Sequence, residues 1–336
     1  MKDASIVAKT HQPPAEPTGL DTTNRASPWR SRVLVSGLAL GGLGAGIVGV
    51  SAYAALRLSR PRRTNSLDHP PTGSFEQVTF PSTDGLWLSG WFLPAPGSGS
   101  TVILCHGFQT GRREMLPVAL ALRERGHHVL LFDFRGHGES QGRWSSCGAL
   151  ETRDLEGAVR YLRSRPDLEG TRIGVLGFSM GAAVAILAAA RVTEIEAVVA
   201  DSAFATLEEA VAATLCGGYH LPRYPVVELA LWLAQRITGT RVNDVRPVDA
   251  IPHLAPRPIL LIHGVEDKVV PLSEAYLLYE AAGEARELWT VPGADHVGAR
   301  TVDFQGYLER VDGFLKRQLC REPADAAHAI QGQAHS

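Results

Sequence analysis

The sequence is poor in cysteine and has no surplus of charge of either sign. Its 336 residues include four cysteines, and no two of them form a CxxC pair. This disfavours a zinc ribbon, a thioredoxin-like redox site and a dense disulfide framework. The net charge of −2 argues against a protein that coats nucleic acid. Hydrophobic residues make up 45% of the chain, which argues against wholesale disorder.

One segment near the N-terminus lacks charge altogether. Residues 33–56 contain no Asp, Glu, Lys or Arg, and arginines flank them on both sides. A helix of this length is long enough to cross the hydrocarbon layer of a bilayer. We therefore predict a disordered leader at residues 1–32 and a single membrane-spanning signal anchor at 33–56. The flanking arginines are nearly balanced, so the side of the membrane on which the rest of the chain lies stays open.

Three other interpretations of this segment are open. Ala52-Tyr53-Ala54 has the small-x-small form of a signal-peptide cleavage site, in which case the protein would be secreted. The segment could also be a buried core helix. Finally, its glycines match a dinucleotide-binding fingerprint at Gly44, Gly46 and Gly49, but no strand pattern precedes an acidic residue at the required distance.

From residue 75 onward, strand-like and helix-like segments alternate. Two strand-like runs on either side of Asp84-Gly85 predict a hairpin. Buried strands are predicted at 101–105, 128–132, 172–176, 195–200, 258–262 and 287–291. Because strands that alternate with helices form βαβ units, we expect an α/β domain with a mostly parallel sheet. We place a linker at 57–74, the α/β domain at 75–320 and a disordered tail at 321–336.

The segment at about 204–248 interrupts this alternation. It lies between two predicted strands and is longer than an ordinary crossover connection. It combines helical patterns at 206–215 and 226–237 with glycines and prolines that would end helices. We interpret it as an inserted helical cap, since connections of this length in compact domains often serve binding.

The strongest local motif is the GxSxG sequence from Gly177 to Gly181. It directly follows a predicted strand and directly precedes an alanine-rich helix, which is the context that a nucleophilic serine requires. Ser179 must stand on a sharp turn, and glycines two residues away on each side allow neighbouring elements to approach closely. The N-terminus of the following helix favours developing negative charge.

A serine nucleophile needs a base, and the base needs a carboxylate to orient it. His296 follows the last predicted strand by a short loop, and Asp267 follows the strand at 258–262. Loops at the carboxyl ends of parallel strands lie at one edge of the sheet, so Ser179, Asp267 and His296 can converge there. Three other carboxylates could orient the histidine in place of Asp267, namely Glu266, Asp201 and Asp295. Asp201 is the first alternative among them.

Acyl transfer also requires hydrogen-bond donors for the oxyanion. The backbone N–H of Phe108, which follows the strand at 101–105, and that of Met180, which follows the nucleophile, are our candidates. His106 lies beside Phe108, and we interpret it as a residue that holds this loop rather than as a base.

Five motifs occur in a recognisable order: HGF at 106–108, DFRGHGES at 133–140, GFSMG at 177–181, HGVEDKVVP at 263–271 and GADH at 293–296. With them the chain resembles the α/β-hydrolase superfamily, in its branch of serine aminopeptidase-like and monoglyceride-lipase-like hydrolases. The resemblance implies an eight-stranded, mostly parallel sheet with a cap after the sixth strand. It assigns Ser179 as nucleophile, Asp267 as acid, His296 as base, and the N–H groups of Phe108 and Met180 as oxyanion donors.

We therefore expect a serine hydrolase that cleaves a carboxylic ester through an acyl-enzyme. This chemistry requires no metal and no organic cofactor. The expected partners are a small ester or acyl substrate and a membrane, with no nucleic acid; the oligomeric state stays open. A thioesterase or a peptidase would use the same triad. A non-catalytic binding protein on a hydrolase scaffold is the alternative from another class.

Overall fold

The computed structural model describes residues 28–63 and 74–320. Most of the predicted leader, part of the predicted linker and the predicted tail at 321–336 lie outside the described residues. Contacts divide the chain into two units, Met1–Gly46 and Ile47–Ser336. The sheet, the cap and the last three turns of the N-terminal helix belong to the second unit.

Helix α1 covers Pro28–Ser59. It begins before the predicted start at residue 33, because proline is well suited to the first turn of a helix. It continues past residue 56 and ends before Pro61, since the residue that precedes a proline avoids helical backbone angles. Within it, Leu38–Ser59 is long and apolar enough to cross a membrane, with a mean hydropathy of 1.6, a property that signal sequences share.

An eight-stranded sheet forms the centre of the second unit, in the order β1-β2-β4-β3-β5-β6-β7-β8. Strand β2 pairs antiparallel with β1 and β4, and the remaining neighbours pair in parallel. The predicted α/β-hydrolase fold with an eight-stranded, mostly parallel sheet is therefore confirmed. The strands are β1 (Glu76–Pro81), β2 (Trp87–Leu93), β3 (Ser100–Cys105), β4 (His128–Phe132), β5 (Arg172–Phe178), β6 (Ile195–Asp201), β7 (Ile259–Gly264) and β8 (Arg286–Val291).

Helices cover both faces of the sheet. Strands β3, β4 and β7 are buried throughout, which explains why their sequences are continuous apolar runs rather than alternating ones. The described helices after α1 are α2 (Leu116–Glu124), α3 (Glu151–Arg163), α4 (Met180–Ala189), α5 (Leu207–Ala212), α6 (Glu228–Thr238), α7 (Pro247–Ala250), α8 (Leu272–Ala281), α9 (Ala299–Val302) and α10 (Phe304–Leu319).

The parallel strands bring six chain segments to one edge of the sheet. The registers place the ends of these strands side by side, at Phe132 (β4), Cys105 (β3), Phe178 (β5), Asp201 (β6), Gly264 (β7) and Val291 (β8). In open α/β sheets, this edge is where ligands bind.

The insertion between β6 and β7 is helical, as the predicted cap at 204–248 requires. Its α-helices are shorter than predicted, because π-helical turns at Ala213–Gly218 and Arg223–Val227 separate α5 from α6. The apolar residues of the cap form a core of their own, which includes Phe204, Leu215 and Val227. Ala54 of α1 belongs to the same core.

Gly157 provides a test of the packing between α3 and β1. A Cβ atom at this position would lie 2.5 Å from the carbonyl oxygen of Pro81 and 2.7 Å from the Cα atom of Ser82. Gly157→Ala should lower the free energy of unfolding by about 2 kcal/mol, since a backbone clash costs more than the roughly 1 kcal/mol of helix propensity gained. Urea unfolding of the full chain in a mild detergent measures this change.

Gly99→Ala is the matched control, because a Cβ atom at Gly99 meets open space. Equal stability of the two variants would show that α3 does not approach β1 as closely as described.

Candidate active site

Ser179 stands at the junction between β5 and α4, on a strained turn. Its backbone angles are φ 51° and ψ −114°, a left-handed conformation that non-glycine residues rarely adopt. A Cβ atom on Gly177 would strike the carbonyl group of Gly181, and one on Gly181 would strike the carbonyl group of Cys105. The two glycines of the motif are therefore required by the close approach of β3, β5 and α4.

The structure brings Ser179, His296 and Asp267 together. His296 Nε2 lies 2.9 Å from Ser179 Oγ, and His296 Nδ1 lies 2.7 Å from Asp267 Oδ2. The imidazole thus bridges the hydroxyl and the carboxylate. The Asp267 side chain is fully buried, whereas the His296 ring is 21% exposed.

The other oxygen of Asp267 is held by the backbone of its own loop. The N–H groups of Val269 and Val270 donate to Asp267 Oδ1 over 2.9 and 2.8 Å. His263 supports the same turn, because its Nε2 lies 2.8 Å from the carbonyl oxygen of Val270. Burial lowers the pKa of His263, so its ring is neutral and donates this bond. These bonds orient the Asp267 carboxylate toward His296.

The rival carboxylates lie elsewhere. Glu266 and Asp295 are exposed. Asp201 is buried and accepts a hydrogen bond from Ser202 Oγ over 3.0 Å, and Ser202 Oγ in turn accepts from the backbone N–H of Val297. Asp201 and Ser202 therefore hold the loop that carries His296, while Asp267 contacts the ring itself.

Phe108 and Met180, whose backbone N–H groups are the predicted oxyanion donors, line the same cavity as Ser179. Met180 is the first residue of α4, and the first N–H groups of a helix have no partner within it. Phe108 follows β3 in a loop whose shape is fixed by Glu114, which accepts bonds from the Gly107 N–H and the Thr110 hydroxyl over 3.2 and 2.6 Å.

His106 is part of the support for this loop. Its Nδ1 lies 2.7 Å from the carbonyl oxygen of Gly107, and its Nε2 accepts a bond from the N–H of Phe134 over 3.0 Å. Burial lowers the pKa of His106, so the ring stays neutral. The expected structural role fits this geometry.

The loop at 133–140 is also structural. Both oxygens of Asp133 accept bonds from Arg112, one from its backbone N–H over 2.7 Å and one from its guanidinium over 2.9 Å. The pair is buried, so the charges are neutralised within the protein, beside the end of β4.

A cavity of about 570 Å³ opens over Ser179 and His296. This volume lies within the range of small-molecule sites. The end of α1, the loop with Phe108, the loop after β7 and the cap all contribute to its lining. The cap residues are Phe204, Leu207, Ala210, Val211, Thr214, Leu215, Tyr219 and Leu221. Most of these side chains are apolar, so the cavity suits an apolar group next to Ser179.

Cys147 also lines the cavity. Burial raises the pKa of its thiol well above the ordinary value, so the thiolate that a cysteine nucleophile requires is disfavoured. Within residues 28–63 and 74–320, no group of three or more His, Cys, Asp or Glu side chains is arranged to hold a metal ion.

Residues 98–248 match the family described as "Serine aminopeptidase, S33". The chain is 30% identical over 261 residues to YqkD of Bacillus subtilis, and the aligned region covers 76% of this chain and 85% of that protein. It is 30% identical over 259 residues to YfhR of Escherichia coli K12, with 74% and 84% covered. Esterase Pf2001 of Pyrococcus furiosus has a similar structure, with a TM-score of 0.67 and 32% sequence identity. The superposed region covers 78% of this chain and 98% of the esterase.

The chain belongs to the α/β-hydrolase superfamily. This confirms the resemblance drawn from the five sequence motifs. It also makes the protein a hydrolase, since both the matching family and esterase Pf2001 are enzymes of this class.

The sequence did not reveal two parts of this hydrolase site. Ser202 has a positive φ of 56°, but nothing in its neighbourhood marks it as the residue that fixes the His296 loop. The end of α1 also contributes to the cavity, although its sequence is that of a membrane-spanning helix. A lipid-facing helix and one that packs against a protein core share the same small and apolar residues, so composition could not separate them.

Asp201 makes the stability of the hydrolase depend on pH. Burial raises its pKa to about 7, from 3.8 in an unfolded chain. Between these values the folded state holds one proton more than the unfolded state, so this contribution to stability is complete below pH 4 and lost by pH 7. The expected loss is about 1.4 kcal/mol per pH unit.

Asp201→Asn should remove this dependence, so that the difference in unfolding free energy between wild type and variant changes from pH 5 to 7 and is constant above. Urea unfolding at several pH values measures it. Glu194→Gln, a change at an exposed position, is the control. Parallel curves for wild type and Asp201→Asn would contradict the assigned burial.

Proposed function

We propose that this hydrolase is a serine esterase with Ser179 as nucleophile, His296 as general base and Asp267 as the acid that orients it. The observation that carries the proposal is the continuous hydrogen-bonded chain from Ser179 Oγ through the imidazole to Asp267 Oδ2, with distances of 2.9 and 2.7 Å. The similarity to esterase Pf2001 supports the ester class.

In the first half-reaction, His296 Nε2 removes the proton of Ser179 as Oγ attacks the ester carbonyl carbon. The carbonyl oxygen becomes an oxyanion, which accepts hydrogen bonds from the N–H groups of Phe108 and Met180. Asp267 stabilises the imidazolium. As the tetrahedral intermediate collapses, the bond to the alcohol breaks and His296 protonates the departing oxygen, leaving an acyl group on Ser179.

In the second half-reaction, His296 removes a proton from water, whose oxygen attacks the acyl carbon. The same N–H groups stabilise the second oxyanion. The bond to Ser179 then breaks, His296 returns the proton to Oγ, and the carboxylic acid leaves. One ester and one water molecule are thus converted into an alcohol and a carboxylic acid, and the protein returns to its starting state.

An ester is favoured over the substrate of an aminopeptidase by the charges around the cavity. An aminopeptidase must hold the ammonium group of its substrate, which calls for a carboxylate. Among the described residues that line the large cavity there are two arginines, Arg57 and Arg62, but no aspartate or glutamate. The large cavity therefore favours a neutral or anionic ester group. A thioester would satisfy the same requirements. A smaller cavity of about 220 Å³, which Ser179 and His296 also line, contains Glu114, Asp295 and Arg300, so the assay with aminoacyl substrates decides between the two classes.

Attachment to a membrane through α1 belongs to the proposal as well. The apolar stretch Leu38–Ser59 supports it by length and composition. If the helix is retained, the protein should stay with the membrane pellet after a carbonate wash. A secreted protein would instead lose the helix by cleavage.

A fluorophosphonate probe tests the assignment of the nucleophile. The full chain in mild detergent should be labelled, and Ser179→Ala should abolish labelling and lower kcat for p-nitrophenyl esters by at least about a thousandfold. Asp267→Asn should lower kcat by a similar factor, because the amide stabilises the wrong ring tautomer.

Glu266→Gln is the matched control for the acid, since it alters the neighbouring carboxylate and should keep activity within about twofold of wild type. Labelling of Ser179→Ala, or equal loss in both acid variants, would contradict the assignment. Aminoacyl p-nitroanilides measured in parallel separate esterase from peptidase activity. A well-folded protein that neither reacts with the probe nor cleaves any ester would be a binding protein on a hydrolase scaffold.

A further inference from the structure

The end of helix α1 is built into the catalytic unit. Its last carbonyl groups, which a helix leaves without internal partners, accept bonds from the domain. Arg57 O accepts from Gln109 Nε2 over 3.1 Å, and Ser59 O accepts from the N–H of Ser145 over 2.9 Å. Leu58 O lies 3.5 Å from Cys147 Sγ. The end of α1 is therefore capped by loops of the hydrolase domain.

Gln109 joins α1 to the loop of the oxyanion hole. Besides its bond to Arg57, its Oε1 accepts a bond from the backbone N–H of Arg62 over 2.8 Å. Gln109 follows Phe108 directly, and its φ of 65° is left-handed. The residue next to the candidate oxyanion donor thus binds both α1 and the chain that follows it.

One face of α1 also packs into the cap. Ser51 is fully buried, and its Oγ donates to the carbonyl oxygen of Val226 over 3.0 Å. Ala54 and Ala55 are buried, and Ala54 belongs to the apolar core of the cap. The small size of these three side chains allows the helix to approach the cap closely.

Between the capped end and the packed face, α1 lines the cavity over Ser179. Its contributions are Val50, Tyr53, Ala54, Arg57 and Leu58, and they face apolar cap residues across the cavity. An acyl chain attached to Ser179 therefore has an apolar channel beside it, with α1 on one side and the cap on the other.

We infer that the end of α1 is a wall of the substrate pocket and selects esters with a long apolar acyl chain. This inference rests on the proposed function and names the substrate class for it. It also requires that α1 be retained in the working enzyme. Cleavage after Ala54 would remove Val50, Tyr53 and Ala54 from the wall and break the chain where it is buried.

A chain-length series tests the inference. The full chain in mild detergent is assayed with p-nitrophenyl acetate, butyrate, octanoate and laurate. In the wild type, kcat/KM should rise from acetate to octanoate, since each buried methylene strengthens binding by up to about fourfold. Tyr53→Ala removes an exposed part of the wall, and Ala54→Leu adds bulk at the buried position where α1 meets the cap beside the cavity. Both should lower the ratio of kcat/KM for octanoate or laurate to kcat/KM for acetate by about tenfold.

Leu56→Ala is the matched control, because Leu56 is a large exposed apolar residue of the same helix that does not line the cavity. Its chain-length profile should equal that of the wild type. Fluorophosphonate labelling and acetate hydrolysis show whether Ala54→Leu has folded. If it has not, Tyr53→Ala provides the test, because Tyr53 is 67% exposed and its loss should not disturb folding.

The outcomes separate the inference from the proposed function. If the wild type hydrolyses esters but Tyr53→Ala keeps its chain-length profile, α1 is not the wall and the inference fails while the esterase stands. If the wild type neither hydrolyses esters nor reacts with the probe, the proposed function itself fails. Mass analysis of the membrane-bound protein should find residues upstream of Ala54, and a mature chain that begins after Ala54 would overturn the inference.

Discussion

The close approach of β3, β5 and α4 at Ser179 is the constraint on which the site depends. Gly177 and Gly181 permit the contact, and the left-handed backbone of Ser179 is its result. This conformation is costly for a residue with a side chain, so the surrounding sheet must stabilise it. It presents the hydroxyl beyond the end of the strand and sets the first N–H groups of α4 beside it. The proposed nucleophile and one of the proposed oxyanion donors are thus positioned by one feature of the backbone.

The fold and the sharp turn at Ser179 could be predicted because both follow from local sequence patterns. A strand buried on both faces needs a continuous apolar run, so β3, β4 and β7 are visible in the sequence. The cap helices were predicted less accurately. Apolar periodicity continues past Ala212, where the observed α-helix is followed by π-helical turns. The two kinds of helix were not distinguished because the spacing of apolar residues does not determine the backbone hydrogen-bond pattern. Chain order could not choose between Asp267 and Asp201, because both follow parallel strands at the same edge of the sheet.

The choice between these two acids depends on hydrogen bonds that the sequence does not display. Asp267 is oriented by the N–H groups of Val269 and Val270, which leaves its second oxygen for His296. Asp201 is bonded by Ser202, and its buried carboxyl group has a raised pKa. A buried carboxyl group with a raised pKa is a weaker partner for an imidazolium. Asp267, by contrast, contacts the His296 ring directly with the oxygen that its own loop leaves free. Environment, more than position in the chain, separates the roles of the two residues.

Helix α1 shows how one segment can satisfy two requirements at once. A membrane helix and a helix that packs on protein both need uncharged residues, and both use small side chains where another backbone approaches. Ser51, Ala54 and Ala55 meet the second requirement inside a stretch that meets the first by its length. The last carbonyl groups of α1 are bonded to the loops beside Phe108 and Cys147, so the position of this end of the helix and the positions of those loops depend on each other. The contacts of α1 therefore couple the segment suited to a membrane with the geometry around Ser179.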